Sequence, residues 1–185
     1  HPDVARGLVE LFVLRLDPAR PADADEQARA LEGRLAGIVD GVASLDEDRI
    51  LRGFLKTVRA VLRTNYFQAD EDGRSKPYLS LKLDPKRIPD LPEPRPLFEV
   101  YVYSTRVEAV HLRGGKVARG GIRWSDRKED FRTEVLGLMK AQMVKNAVIV
   151  PVGAKGGFVV KRPPAEAGRE ALMDEVVACY STMMR

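Results

Sequence analysis

Residues 128–161 read KEDFRTEVLGLMKAQMVKNAVIVPVGAKGGFVVK, and this stretch decides the fold class. Apolar residues recur at helical spacing over about 128–146, which predicts a helix. The β-branched run at 148–150 predicts a strand. Residues 152–158, V-G-A-K-G-G-F, predict a glycine-rich turn, and F-V-V-K at 158–161 predicts a second short strand. A helix followed by strands of this kind indicates an α/β layer.

The segments before this stretch extend the layer and add a helical part. Five prolines fall within 84–96, a density that excludes a regular element there. Helices are predicted at 4–16 and 24–40, and a third from Ser44, where Glu47 completes a capping box. The apolar stripe of this third helix is Ile50, Leu51, Phe54, Leu55, Val58, Val61 and Leu62. Strands are predicted at 77–85, 97–105 and 106–113, a loop at 114–121, and a last helix from about Ala165. We therefore expect a helical region at 1–76 followed by a mixed-sheet α/β domain at 77–185.

The composition is that of an ordinary globular protein, with 185 residues, 44% of them apolar and 31% charged. No apolar run approaches the roughly 20 residues that span a bilayer, and no signal peptide is visible. The non-Met start and an end inside a helical pattern predict a piece of a longer protein. The single cysteine, Cys179, is expected to be a buried structural thiol, which fits a reducing, cytoplasmic compartment. No metal site is expected.

The charge of the chain is unevenly distributed. The net charge is +4, yet residues 112–162 contain 12 Lys and Arg against 4 Asp and Glu. Such a segment is typical of a protein that binds polyanions, nucleic acid included, and equally of a site for a small dicarboxylate. The charge alone leaves both interpretations open.

Two polar residues fall within the apolar stripe of the helix at 128–146. With 100° per residue, Gln142 and Lys145 lie near Phe131, whereas Lys140 lies on the opposite side. A core-facing amide and ammonium are costly unless an anion pairs with them. Either a substrate supplies that anion, or Lys145 reaches solvent or a structural carboxylate.

A second lysine, Lys155, lies among glycines. A phosphate-binding loop of the Walker type requires Ser or Thr after the lysine, and here Gly156 follows. A partly desolvated lysine beside other cations can exchange protons at neutral pH. The alternative is an exposed turn lysine. Upstream, Arg119 precedes Gly120 and Gly121; its guanidinium suits a carboxylate, and the R-G-G triplet is not repeated as it is in nucleic-acid-binding segments.

These motifs together resemble the substrate domain of glutamate dehydrogenases, and especially the large NAD-specific bacterial type. The sequence segments that carry this resemblance are R-T-N-Y-F, K-P-Y-L-S-L-K-L and R-G-G-I-R-W-S-D-R-x-x-D-F-R-T-E-V-L-G-L-M-K-A-Q-x-V-K-N-A-V-I-V-P-V-G-A-K-G-G-F. It covers about residues 63–161.

The resemblance implies a role for each residue. Lys155 matches the catalytic lysine, which activates water and stabilises the carbinolamine. Lys145 and Gln142 match the pair that holds the α-carboxylate of the substrate. Arg119 stands where many smaller members have a lysine for the distal carboxylate, and Gly120 and Gly121 would form a tight turn beside the ligand.

The resemblance also implies what lies elsewhere. The catalytic aspartate and the NAD-binding domain are expected outside this chain, which contains no G-x-G-x-x-G. The expected activity is oxidative deamination of L-glutamate to 2-oxoglutarate and ammonia by a homo-oligomer that needs neither nucleic acid nor a membrane. The isolated chain is expected to be inactive. A polyanion-binding module and a non-catalytic assembly or regulatory piece are the alternatives.

Overall fold

The computed structural model describes residues 1–145, 151–164 and 168–185. Within these residues the chain forms five helices and seven strands. The helices are α1 (Pro2–Leu16), α2 (Ala24–Asp40), α3 (Leu45–Ala60), α4 (Phe131–Lys145) and α5 (Arg169–Met184). The strands are β1 (Val61–Thr64), β2 (Tyr78–Leu83), β3 (Phe98–Ser104), β4 (Val107–Arg113), β5 (Ala118–Arg119), β6 (Ile122–Trp124) and β7 (Val152–Val160). None of the described helices is both long enough and apolar enough to cross a bilayer.

Helices α1, α2 and α3 pack on one another through a buried apolar cluster. Leu11 of α1, Leu35 of α2 and Leu55 of α3 lie in it, which is the reason that apolar residues recur at helical spacing in this third of the chain. The predicted cap of α3 is confirmed, since the Ser44 side chain accepts a hydrogen bond from the Glu47 backbone N–H at 3.4 Å.

The sheet is mixed, and it confirms the predicted class of a helical part followed by an α/β layer. Its order is β1-β2-β3-β4-β7-β5, and β6 also pairs with β7. The pairs from β1 to β7 are antiparallel, whereas β5 and β6 run parallel to β7. Helix α4 covers one face, where Val159 of β7 packs, and α5 covers the other, where Phe158 and Val160 pack.

The glycine turn predicted at 152–158 is wrong, because these residues form most of the nine-residue strand β7. The glycines serve close packing rather than a change of direction. A Cβ on Gly156 would come within 2.9 Å of Ile122, and one on Gly157 would overlap Val135 of α4. The other predicted strand, at 148–150, lies outside the described residues.

The predicted stripe of α3 is also partly wrong. The helix ends at Ala60, and Val61 and Leu62 belong to β1, which pairs with β2. Ile50 and Phe54 are 57% and 58% exposed rather than buried. Strand β1 lies within the predicted helical region at 1–76 but belongs to the sheet; the division at residue 76 stays a prediction.

Two smaller differences occur along the rest of the chain. The proline-rich segment contains one turn of 3-10 helix at Pro85–Arg87, and the predicted loop at 114–121 includes strand β5. The last helix begins at Arg169. Its predicted start near Ala165 lies outside the described residues.

Candidate functional site

Lys155 lies in the middle of β7, opposite Leu112 of β4, on the face that α4 covers. Side chains alternate along a strand, and the next two residues on that face are Gly153 and Gly157. A Cβ on Gly153 would lie 3.2 Å from the Gln142 Cβ, and one on Gly157 would overlap Val135. Both neighbours are in α4, so Lys155 between them faces α4 as well.

Gly153, Lys155 and Gly157 are three successive residues on this face of β7, and only Lys155 has a side chain. Helix α4 therefore approaches the strand closely on both sides of the lysine. Lys155 is partly buried. Among the described residues no carboxylate lies within ion-pair distance of its ammonium group. The backbone of Lys155 is thus held between two close contacts of β7 with α4.

Gln142 reaches from α4 to the backbone beside β7. Its Nε2 donates a hydrogen bond to the Arg119 carbonyl at 2.9 Å, which fixes the orientation of the amide. Its Oε1 is buried and has no partner among the described residues. Nε2 has a second N–H, so the amide can still donate to a carboxylate.

Arg119, Gly120 and Gly121 run beside β7 as an edge. Arg119 pairs with Gly153, and Ile122 pairs with Gly156 in the same register. Gly120 and Gly121 therefore lie opposite Ala154 and Lys155, and the Gly156 N–H donates to the Gly121 carbonyl at 3.0 Å.

The tight turn predicted at these two glycines is wrong. Neither glycine has a positive φ, and the chain continues in one direction from β5 to β6. A Cβ on Gly120 would overlap the Ala154 carbonyl oxygen. Glycine is needed at position 120 because the backbone comes so close to β7, and this brings the Arg119 segment to Lys155.

The structure brings together Lys155, Gln142 and the backbone of Arg119–Gly121 at one edge of the sheet. The Arg119 side chain is exposed and forms no ion pair among the described residues. Lys145 closes α4 three residues beyond Gln142. Its side chain lies outside the described residues, so its inward direction stays a prediction.

A carboxylate that the sequence did not single out fixes β6 on α4. Glu134 accepts a hydrogen bond from the buried Ser125 hydroxyl at 2.6 Å and pairs with the Arg123 Nε at 2.9 Å. The Ser125 N–H donates to the Phe158 carbonyl at 2.8 Å. Helical phase places Glu134 about 60° from Phe131, at the margin of the apolar stripe. A carboxylate at the margin of an apolar stripe was the feature of the sequence that could have indicated this contact.

Cys179 is confirmed as a buried thiol. Burial, together with the Glu175 carboxylate, raises the pKa of the thiol to about 11. It is therefore protonated at neutral pH and is not a nucleophile. In the described parts of the chain, no group of three or more His, Cys, Asp or Glu side chains could hold a metal ion.

The arrangement suits a small anion with two acidic groups. Lys155 supplies an ammonium group, Gln142 an amide N–H, and Arg119 an exposed guanidinium. Cations of this kind are the usual partners of carboxylates. An ammonium beside a bound substrate can also exchange a proton with it.

Known proteins share most of this sequence. Residues 34–185 match the family described as bacterial NAD-glutamate dehydrogenase, catalytic domain. The chain is 58% identical over its whole length to the NAD-specific glutamate dehydrogenase of Halomonas elongata. It is 57% and 55% identical, over 97% of its length, to the enzymes of the same name from Pseudomonas aeruginosa and Mycobacterium tuberculosis.

The chain spans only 11% to 12% of the length of these relatives. The segments that form the edge described above, from β5 to β7, fall within the matched residues 34–185. The predicted family is therefore confirmed, and the chain belongs to the bacterial NAD-glutamate dehydrogenases, within whose catalytic domain most of it lies.

Proposed function

We propose that this chain forms the substrate-binding part of an NAD-dependent glutamate dehydrogenase. The reaction is oxidative deamination of L-glutamate to 2-oxoglutarate and ammonia. The observation that supports it most directly is the position of Lys155, between two glycines on the α4 face and beside the Arg119–Gly121 edge. The cofactor and the substrate class of the proposal are those in the names of the relatives given above.

The α-carboxylate of glutamate would bind at the end of α4. The Gln142 amide is held by the Arg119 carbonyl, so that its remaining N–H is oriented before substrate arrives. Lys145, three residues further along the helix, would supply the positive charge. An oriented donor costs little entropy on binding.

The distal carboxylate would meet Arg119. Its side chain is exposed at the margin of the site, whereas its backbone is fixed by pairing with Gly153. A guanidinium can bind a carboxylate through two parallel hydrogen bonds. This contact would distinguish glutamate from amino acids that lack a second acidic group.

Lys155 would carry out proton transfer at the α-carbon. Once the substrate is oxidised to the imine, Lys155 in its neutral amine form takes a proton from the water that attacks this carbon, and the ammonium formed in this way stabilises the resulting carbinolamine. Loss of ammonia then gives 2-oxoglutarate. The proton exchange with the substrate nitrogen is assigned to an aspartate outside this chain.

NAD would accept the hydride that leaves the α-carbon. The chain has no G-x-G-x-x-G between a strand and a helix, so its residues do not fit a dinucleotide site. The proposal therefore places NAD binding on another part of a longer polypeptide. It also places the enzyme in the cytoplasm as a homo-oligomer.

The test is a substrate comparison with the purified full-length protein. NADH formation is followed with L-glutamate and with L-norvaline, which lacks the distal carboxylate, and 2-oxoglutarate and ammonia are measured as products. We expect L-glutamate to be oxidised with a kcat/KM at least about tenfold higher, the value of one charged hydrogen bond. Absence of glutamate-dependent NAD reduction would overturn the proposal.

A further inference from the structure

A cavity of about 330 Å³ opens on the face of the sheet opposite to Lys155. Its lining residues are Lys82, Phe98, Val100, His111, Arg113 and Lys116. Lys82 pairs with Val100, and Val100 pairs with His111, so the three side chains form a row across β2, β3 and β4. Val100 packs on the cluster that faces α5, and this identifies the face.

The cavity is separate from the site proposed for glutamate. Lys155 pairs with Leu112, and His111 and Arg113 on either side of Leu112 point to the other face. A molecule bound in the cavity would therefore lie behind the strands that hold Lys155, with the sheet between them.

The charge of the cavity lining is unbalanced. Lys82, Arg113 and Lys116 are cations, and no carboxylate of the described residues lines the cavity. None of the three cations forms an ion pair with any residue in 1–145, 151–164 or 168–185. Three like charges around one concavity repel one another and raise the local concentration of anions.

The cationic groups are partly fixed in position. The Arg113 Nε donates to the Gly115 carbonyl at 3.0 Å, and its Nη2 donates to the Lys116 carbonyl at 2.6 Å. These bonds close the turn after β4 and leave other guanidinium N–H groups for a ligand. The Lys82 ammonium lies 4.1 Å from the centre of the Phe98 ring.

We propose that this cavity is a binding site for a compact dianion, either a phosphate or a dicarboxylate. Its volume is at the small end of the range for ligand sites, which favours a compact ligand. The Lys82 ammonium covers one face of Phe98, so an aromatic ring is not expected to stack there. The proposal does not depend on the function proposed above.

The test is isothermal titration of the full-length protein with inorganic phosphate, pyrophosphate and glutarate at 150 mM KCl. The variants are Lys116→Ala, whose side chain is exposed, and Lys82→Ala combined with Lys116→Ala. Lys140→Ala, a solvent-exposed lysine of α4, is the control. The melting temperature of each variant is measured to verify that it is folded. If the double variant is unfolded, Lys116→Ala alone decides the result.

We expect at least one probe to bind wild-type protein and the Lys140→Ala control equally, and to bind at least tenfold more weakly to the double variant. The preferred probe distinguishes a phosphate from a dicarboxylate. Glutarate that binds at the Lys155 site should bind the variants as well as wild type. Only the glutarate binding that is lost in the variants is therefore assigned to the cavity. The proposal is overturned if no probe binds wild-type protein at millimolar concentration, or if the variants bind all three equally well.

Discussion

Gly120 lies so close to the Ala154 carbonyl oxygen of β7 that a Cβ on Gly120 would overlap this oxygen. Gly121, the next residue, has no atom within 4 Å of the corresponding position. Two adjacent glycines with neither φ positive therefore differ in the reason for their presence. Only the first is required by the approach of the edge strands to the strand that contains Lys155.

Because of this difference, alanine substitutions at the two glycines are predicted to differ in their effect on stability. Gly120→Ala must push the β5–β6 edge away from β7, since the obstacle is backbone, and overpacking of this kind costs about 1–3 kcal/mol or more. Gly121→Ala should change the apparent melting temperature little. Thermal unfolding of both full-length variants measures the difference, and equal melting temperatures would contradict the geometry described here.

The two contacts of Glu134 are predicted to contribute unequally to the stability of the protein. The Arg123 side chain is 60% exposed, so its ion pair with Glu134 contributes little. The Ser125 hydroxyl is buried, and loss of its acceptor costs about 1–3 kcal/mol. Glu134→Gln, which keeps an acceptor, should therefore be near wild type in denaturant unfolding, whereas Glu134→Ala should be clearly less stable. The account of this contact is wrong if both variants lose the same stability.

Arg119 is predicted to determine substrate choice and not folding. Its guanidinium is exposed, and only its carbonyl contacts Gln142. Arg119→Met should lower kcat/KM for L-glutamate about tenfold or more, with the melting temperature unchanged. The same substitution should leave kcat/KM for L-norvaline nearly constant, because that substrate has no distal carboxylate. An equal loss for both substrates would show that Arg119 does not contact this group.

His111 predicts a dependence of stability on pH. Burial, and then the nearby Arg113, lower the pKa of the imidazole from its usual 6.5; Lys82 and Lys116 line the same cavity. The unfolded chain therefore binds the proton more readily than the folded protein. The contribution of His111 to stability is present above about pH 6.5 and is lost as the pH falls through the lower folded value.

The measurement is the apparent melting temperature of wild type and His111→Gln between pH 5 and 8. We expect the wild type to lose more stability than the variant on acidification below pH 6.5. Parallel curves for the two proteins would mean that His111 does not titrate in this way.

The sequence was sufficient for the elements with a strong period or a strong boundary. The helix α2 lies at Ala24–Asp40, the range that its apolar spacing predicts. The strands β3 and β4 follow from aromatic or β-branched residues, and β2 follows from the apolar residues between its flanking turn and proline-rich segments. The inward position of Gln142 follows from helical phase alone.

The glycine-rich segments could not be assigned from local sequence. Gly153, Gly156, Gly157 and Gly120 look like turn residues in the sequence, yet each is next to a neighbour that comes unusually close. Glycine is required equally by a turn and by close packing, and only the tertiary structure distinguishes them. The exposed Ile50 and Phe54 of α3 show the same limit, since an apolar stripe does not reveal what covers it.

The cavity on the face opposite to Lys155 also could not be predicted from local sequence. Lys82, His111 and Lys116 are far apart or unremarkable in the sequence, and only the pairing of β2, β3 and β4 brings them together. The local excess of positive charge at 112–162 was visible in the sequence. Its division between two faces of one sheet was not.

The central claim is that Lys155 takes the proton from the water that attacks the α-carbon. Its most direct measurement is the rate of NADH formation from L-glutamate by full-length wild-type protein and by the Lys155→Met and Lys140→Met variants, each verified as folded by its melting temperature. We expect kcat to fall by about 10²–10⁴ in Lys155→Met, the usual contribution of general acid–base catalysis, and to stay at the wild-type value in Lys140→Met. A folded Lys155→Met protein with a kcat within a few fold of wild type would contradict the claim.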